Sequence, residues 1–96
     1  MSFHFIVRFR TQPGKETEFH QELLRVVPPS RAEPGCLSIH AFESLREPAE
    51  FAIHSELIDA AAFERHSQMP HTVHFVEAAG KLLLHPIQGL RAHEIA

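Results

Sequence analysis

The stretch "CLSIHAFESLREPAEFAIHSEL" (Cys36–Leu57) decides the fold. Two runs, "CLSIHAFES" and "FAIHSEL", flank the short polar break "REPAE". Each run places apolar residues at every second position, which is the period of a strand with one buried face. A break this short joins antiparallel neighbours, so the stretch reads as a β-hairpin. Upstream, "AEPGC" is a turn, and before it Phe19, Leu23, Val26 and Val27 recur at helical spacing. That periodicity predicts an amphipathic helix, opened by Pro13 and ended or kinked at Pro28 and Pro29. Earlier still, "FHFIVRFR" (Phe3–Arg10) alternates. Phe3, Phe5, Val7 and Phe9 share one face of that strand; His4, Ile6, Arg8 and Arg10 share the other.

Downstream of the hairpin, Asp59 is placed to cap a helix, "AAAFERHSQM". Pro70 interrupts it and opens a second helix, "PHTVHFVEAAGKLLL". "PIQGLRAHEI" reads as a last strand. The order is β-α-β-β-α-β with the second helical unit broken in two. This predicts an α+β, ferredoxin-like split βαβ domain over residues 1–96, with an antiparallel sheet and helices on a single face. The other sheet face, with Ile6, Phe42, Ala52 and Leu90, then needs a cover. A second copy of the sheet is the simplest one, which predicts a homodimer.

Composition narrows the function classes. Net charge is −3, from 9 Lys and Arg against 12 Asp and Glu. The basic residues are scattered and do not alternate with aromatic ones, so no nucleic-acid footprint is expected. No apolar run approaches the ~20 residues needed to span a bilayer, and the N-terminus lacks an apolar signal core. The single cysteine, Cys36, excludes an internal disulfide and fits a reducing, cytoplasmic setting. It reads as a small packing residue at the start of a strand.

Nine histidines in 96 residues call for sorting, because imidazole is the side chain that changes charge near neutrality. Strand parity sends Phe5, Val7, Phe9, Leu37, Ile39, Phe51, Ile53, Ser55 and Leu57 toward the helices. His4, His40 and His54 go to the opposite face with Arg8 and Glu56, at the expected sheet–sheet interface, where their protonation would add repulsion. His66 sits three residues after Phe63 on a neighbouring part of the same helix face. It reads either as a base for a substrate hydroxyl or as a helix C-terminal histidine favoured by the macrodipole. His71 and His74, one turn apart, with Glu77 as third ligand, are too poor a set for a metal site, and none is expected. The glycines are isolated and form no phosphate loop.

With these elements placed, "RFRTQPGKETEF", "VVPPSRAEPGCL" and "AAAFERHSQMPHTVHF" together resemble the antibiotic biosynthesis monooxygenase (ABM) domain family. The likeness runs along nearly the whole chain, in order. It implies a dimeric α+β barrel with a ligand cavity between sheet and helices. It also implies a cofactor-independent monooxygenase acting with O₂ on a small hydrophobic aromatic ligand, a quinol or anthrone. The residues expected around that ligand are Phe5, Val7, Ile39, Ser55, Leu57, Phe63, Met69, His71 and Phe75, with His66 as the catalytic base. No cofactor is expected. Leu57 stands where family members often carry Trp, and the chain has no Trp, Tyr or Asn. The haem-degrading members' Asn–Trp–His set is therefore missing. A non-catalytic dimeric domain that binds a hydrophobic small molecule, or an isomerase on the same barrel, are the other readings.

Overall fold

The alternating N-terminal stretch forms the strand around which the sheet is built. The computed structural model describes residues 2–96. The elements run β1 (Phe3–Arg10), α1 (Glu16–Arg31), β2 (Cys36–Glu43), β3 (Glu50–Leu57), α2 (Ala60–Ser67), α3 (Pro70–Leu82) and β4 (Gly89–Ala92). The sheet order is β2-β3-β1-β4, and each neighbouring pair is antiparallel. This is the ferredoxin-like arrangement expected from the sequence, with the second helical unit in two pieces.

Register fixes the two faces. Phe5 lies opposite Ser55, Val7 opposite Ile53 and Phe9 opposite Phe51. These side chains turn toward the helices, where Phe19, Leu23, Val26, Phe75 and Ala79 are buried against them. Phe19 is wholly buried. Its ring meets Phe9, Phe51 and Phe75 at centroid distances of 5.0, 5.1 and 5.8 Å, within the range of favourable aromatic pairs. Leu57, Ala62 and Phe63 form a second small cluster under α2.

The local details depart from the sequence reading at four places. Pro13 does not open α1. Gly14, at φ +84°, turns the chain, and Lys15 donates its backbone N–H to the Gln12 carbonyl (3.1 Å) before the helix starts at Glu16. Pro28 and Pro29 do not end α1 either; it continues to Arg31. Burial of Val26, Val27 and Ser30 holds that last turn, and Arg31 Nη2 donates to the Ile39 carbonyl at 2.8 Å. Tertiary contacts thus outweigh the hydrogen bonds that proline cannot make. In β2, Cys36 pairs with Leu57 and Ser38 with the adjacent Glu56. One residue is therefore extra, a bulge that swings Leu37 out to 56% exposure and turns Cys36 onto the core. Finally, β4 is only four residues long. Leu83 leaves α3 and bridges Thr11 instead of continuing the helix.

On the outer face, His40, His54, Ile6 and Leu90 form one row across all four strands. Phe42, Ala52 and Arg8 form the next. Ile6, Phe42 and Leu90 are exposed. His4 Nδ1 lies 2.9 Å from His54 Nε2, with the two rings stacked. Among the described residues, no helix is long and apolar enough to cross a membrane.

Candidate functional site

The break between α2 and α3 creates the site. Asp59 accepts a hydrogen bond from the Ala62 N–H (2.8 Å) and so sets where α2 begins. Eight residues later α2 ends, and His66 falls in its last turn. Pro70 occupies the first turn of α3, where its missing N–H is harmless, and places His71 beside it. The two imidazoles converge on Glu33, which sits in the turn between α1 and β2. Its backbone is held there: Glu33 N–H donates to the Ser30 carbonyl (3.2 Å), and Cys36 N–H donates to the Glu33 carbonyl (3.0 Å).

The geometry of the cluster is tight. His66 Nδ1 lies 2.9 Å and His71 Nε2 2.6 Å from Glu33 Oε2. The side chains of Glu33, His66 and His71 are only 9%, 16% and 19% exposed. A carboxylate with so little water is held in place by these charge-assisted bonds. Because both nitrogens face an acceptor, each carries the proton and donates it. In the neutral His66 ring Nε2 is then the lone-pair nitrogen, and it makes no hydrogen bond among the described residues. The Glu33 carboxylate, after burial itself, also pushes the Cys36 thiol above its ordinary range, with Arg31 opposing.

His66 borders a pocket of about 180 Å³ between the sheet and the helices. Its walls include Phe5, Val7, Phe9, Ile39, Ile53, Phe63 and Phe75. The polar groups are few: Ser30, Ser55, His66, Ser67 and Thr72. Ser30 Oγ is buried without a partner, and a buried hydroxyl left unpaired costs about 1–3 kcal/mol. Gly89, opposite Val7 on β4, packs against the wall residue Phe5. A Cβ there would collide with the Phe5 ring, so the missing side chain leaves room for that ring.

The structure brings most of the expected residues to this pocket. Phe5, Val7, Ile39, Ser55, Phe63, Phe75 and His66 line it together. Leu57, Met69 and His71 do not. Leu57 is buried in the second cluster, Met69 is at the exposed junction before α3, and His71 stands behind His66 on Glu33. His71 and His74 do not share a ligand set either: His74 Nε2 faces Glu22 Oε1 at 3.4 Å. The residues sequence reasoning missed are Glu33 and Ser30. Glu33 stood inside a stretch read only as a turn, and Ser30 follows two prolines that were expected to end the helix. Nothing local marks either one, since Glu33 meets its partners across 33 and 38 residues of chain. The same three side chains offer ligand atoms within 4.8 Å of one another, the one such group among the described residues.

Comparison with known proteins places this geometry in a family. The family profile "Antibiotic biosynthesis monooxygenase" matches residues 2–78. "Putative monooxygenase YcnE" of Bacillus subtilis is 32% identical over 82 residues, covering 85% of this chain and 86% of that protein. "Uncharacterized protein sll1783" of Synechocystis is 32% identical over 87 residues, which is 91% of this chain but 58% of that longer protein. The crystal structure of PA3566 from Pseudomonas aeruginosa has a TM-score of 0.92 at 27% identity, covering 99% of this chain and 95% of that one.

Proposed function

The chain belongs to the antibiotic biosynthesis monooxygenase family, and from that premise we propose that it is a monooxygenase for a one- or two-ring quinol. His66 is the proton acceptor, and Glu33 is the residue that positions it. The observation that carries this reading is the His66 ring. Its Nδ1–H is fixed by a nearly buried carboxylate, while the same ring borders an apolar pocket. The arrangement follows the logic of a carboxylate–histidine pair, in which the carboxylate selects the tautomer and the other nitrogen takes the proton.

The pocket sets the substrate size. An apolar cavity of roughly 150 Å³ holds a benzene ring, so about 180 Å³ suits one ring with substituents, or two with small adjustments. Three fused rings of an anthrone would require the walls to open, which favours the quinol among the two expected classes. The ring would lie among Phe5, Phe63 and Phe75.

The chemistry needs no added reductant. His66 Nε2 takes the proton from a quinol hydroxyl, which leaves an electron-rich anion able to reduce O₂. One oxygen atom forms a C–O bond to the ring, the hydrogen on that carbon leaves as a proton, and the other oxygen leaves as water with that proton and the one that His66 returns. Quinol plus O₂ thus gives hydroxyquinone plus water, with the quinol supplying the electrons. The pocket's part is to exclude bulk water and hold the anion beside the base. Two copies pair through their outer sheet faces in this reading, covering Ile6, Phe42 and Leu90.

The test is O₂ uptake by metal-stripped protein with benzo- and naphthoquinols, beside His66→Ala and Phe63→Trp. Uptake above autoxidation that His66→Ala loses supports the oxygenase. Quinol binding with no uptake by any form would instead establish a non-catalytic binder. Conversion of the ligand without O₂ consumption would point to an isomerase. Sedimentation of the wild type and Phe42→Glu checks the pairing: a dimer that the variant splits is expected, and a wild-type monomer would refute it.

A further inference from the structure

Outside the proton-transfer role, the Glu33–His66–His71 cluster has the composition of a metal centre. We propose that Glu33 Oε2, His66 Nδ1 and His71 Nε2 form a site for a divalent transition-metal ion, and that its occupancy switches His66 off as a base. Two imidazoles and one carboxylate are the donor set of open, three-ligand sites, which leave further positions for water or a ligand. Calcium and magnesium prefer all-oxygen shells, so the ions expected are zinc, cobalt and their neighbours.

The geometry is close to what such an ion needs. Metal–ligand distances of about 2.1 Å put ligand atoms about 3.0–3.4 Å apart at octahedral or tetrahedral angles. The two ligand pairs on Glu33 stand at 2.9 and 2.6 Å, and all three atoms fall within 4.8 Å. The carboxylate–imidazole pairs therefore open by less than 1 Å, a hydrogen-bonded cluster relaxing into a coordinated one. The three residues come from separate pieces of chain, anchored by the α1–β2 turn, the end of α2 and the start of α3. Low exposure of all three disfavours their release to water and holds the set together.

The consequence for His66 follows from counting protons. In the metal-free cluster His66 donates Nδ1–H to Glu33, and Nε2 keeps its lone pair. An ion on Nδ1 requires the other tautomer, with the proton on Nε2. His71 likewise moves its proton from Nε2 to Nδ1. No proton is gained or lost overall by the two neutral rings, but the nitrogen left to face a substrate is now a donor. Metal binding and proton abstraction are thus exclusive at one ring. The binding claim stands on the cluster alone, whereas the inhibition claim rests on the oxygenase reading.

The experiment is calorimetric titration of the metal-stripped protein with Zn²⁺, repeated with Co²⁺ and read by its visible absorption. One tight site per chain is expected. It should weaken by at least about 100-fold in Glu33→Gln and in His71→Ala, since losing even an outer-shell partner commonly weakens a metal site by 10–100-fold. Binding should stay within about twofold in His74→Ala and His4→Ala, which remove histidines outside the cluster. Weak binding that survives Glu33→Gln overturns the site. Should the variants misfold, anomalous scattering from zinc-soaked wild-type crystals decides: a peak among the three residues supports the site, and peaks only elsewhere overturn it. Zinc should also abolish quinol-dependent O₂ uptake, reversibly with a chelator. Tight zinc binding with undiminished uptake overturns the switch, while uptake absent in metal-free protein removes the oxygenase reading and leaves the metal site standing.

Discussion

Glu33→Gln is the substitution that tests the site most directly. The amide keeps the shape of the side chain and removes its charge. In the wild type, Glu33 Oε2 accepts from His66 Nδ1 at 2.9 Å and from His71 Nε2 at 2.6 Å, in surroundings that leave its side chain 9% exposed. A hydrogen bond to a charged group is worth about 1.5–3 kcal/mol net. Only the bond to His66 strengthens as that ring becomes an imidazolium, so only that one enters the barrier. A loss of about 1.5–3 kcal/mol corresponds to a turnover reduced by roughly 10- to 150-fold, at 1.36 kcal/mol per factor of ten. Glu33 does not line the pocket proposed to hold the quinol, so KM should stay within about threefold. The assay is steady-state O₂ uptake with a naphthoquinol, with circular dichroism confirming the fold. A double-mutant cycle with His66→Gln should show strong non-additivity, because the carboxylate acts through that ring. A folded Glu33→Gln protein with kcat near the wild-type value would refute the positioning role and with it the assignment of His66 as base.

Further outcomes follow from the same contacts. Cys36 carries a thiol raised by burial and by the Glu33 carboxylate, so its thiolate fraction at pH 7–8 is below that of a free thiol; alkylation by iodoacetamide should be slower than for a cysteine peptide, and Glu33→Gln should speed it. An unchanged rate in Glu33→Gln would show that the carboxylate does not act on the thiol. Gly89→Ala places a methyl group against the Phe5 ring, and the ring must then move into or away from the pocket; quinol affinity should fall while thermal stability changes little. Gly35→Ala meets Ala62 Cβ at 2.5 Å, and such overpacking costs about 1–3 kcal/mol, read as a lower denaturation midpoint. Phe19→Ala removes the ring at the centre of the core and should destabilise the protein by about 3–5 kcal/mol. A loss under 1 kcal/mol in urea titration would mean that the core collapses around the gap.

Much of the architecture was legible because period and punctuation carry it. The alternation of Phe3–Arg10, the hairpin at "REPAE", the Asp59 cap and the Pro70 restart each rest on local physics, and each appears where expected. Where the local rules failed, burial or an extra residue had intervened. Pro28 and Pro29 are carried inside α1 because Val26, Val27 and Ser30 are buried and Arg31 is tied to Ile39. Leu37 lies outside the core because a bulge, invisible to parity, shifts β2 by one residue.

The sequence by itself determined the element order, the faces of β1 and β3, those of β2 from Ile39 onward, and the apolar lining between the sheet and the helices. Those follow from side-chain period and from the need to bury one stripe of each element. Only the tertiary structure decided which groups complete the site. Glu33, His66 and His71 come from a turn, a helix end and a helix start, and their meeting depends on how α2 and α3 pack on the sheet beside the α1–β2 turn. A hydrogen bond spanning 33 residues has no periodicity to announce it; the chain must fold before the carboxylate can choose the tautomer of the histidine.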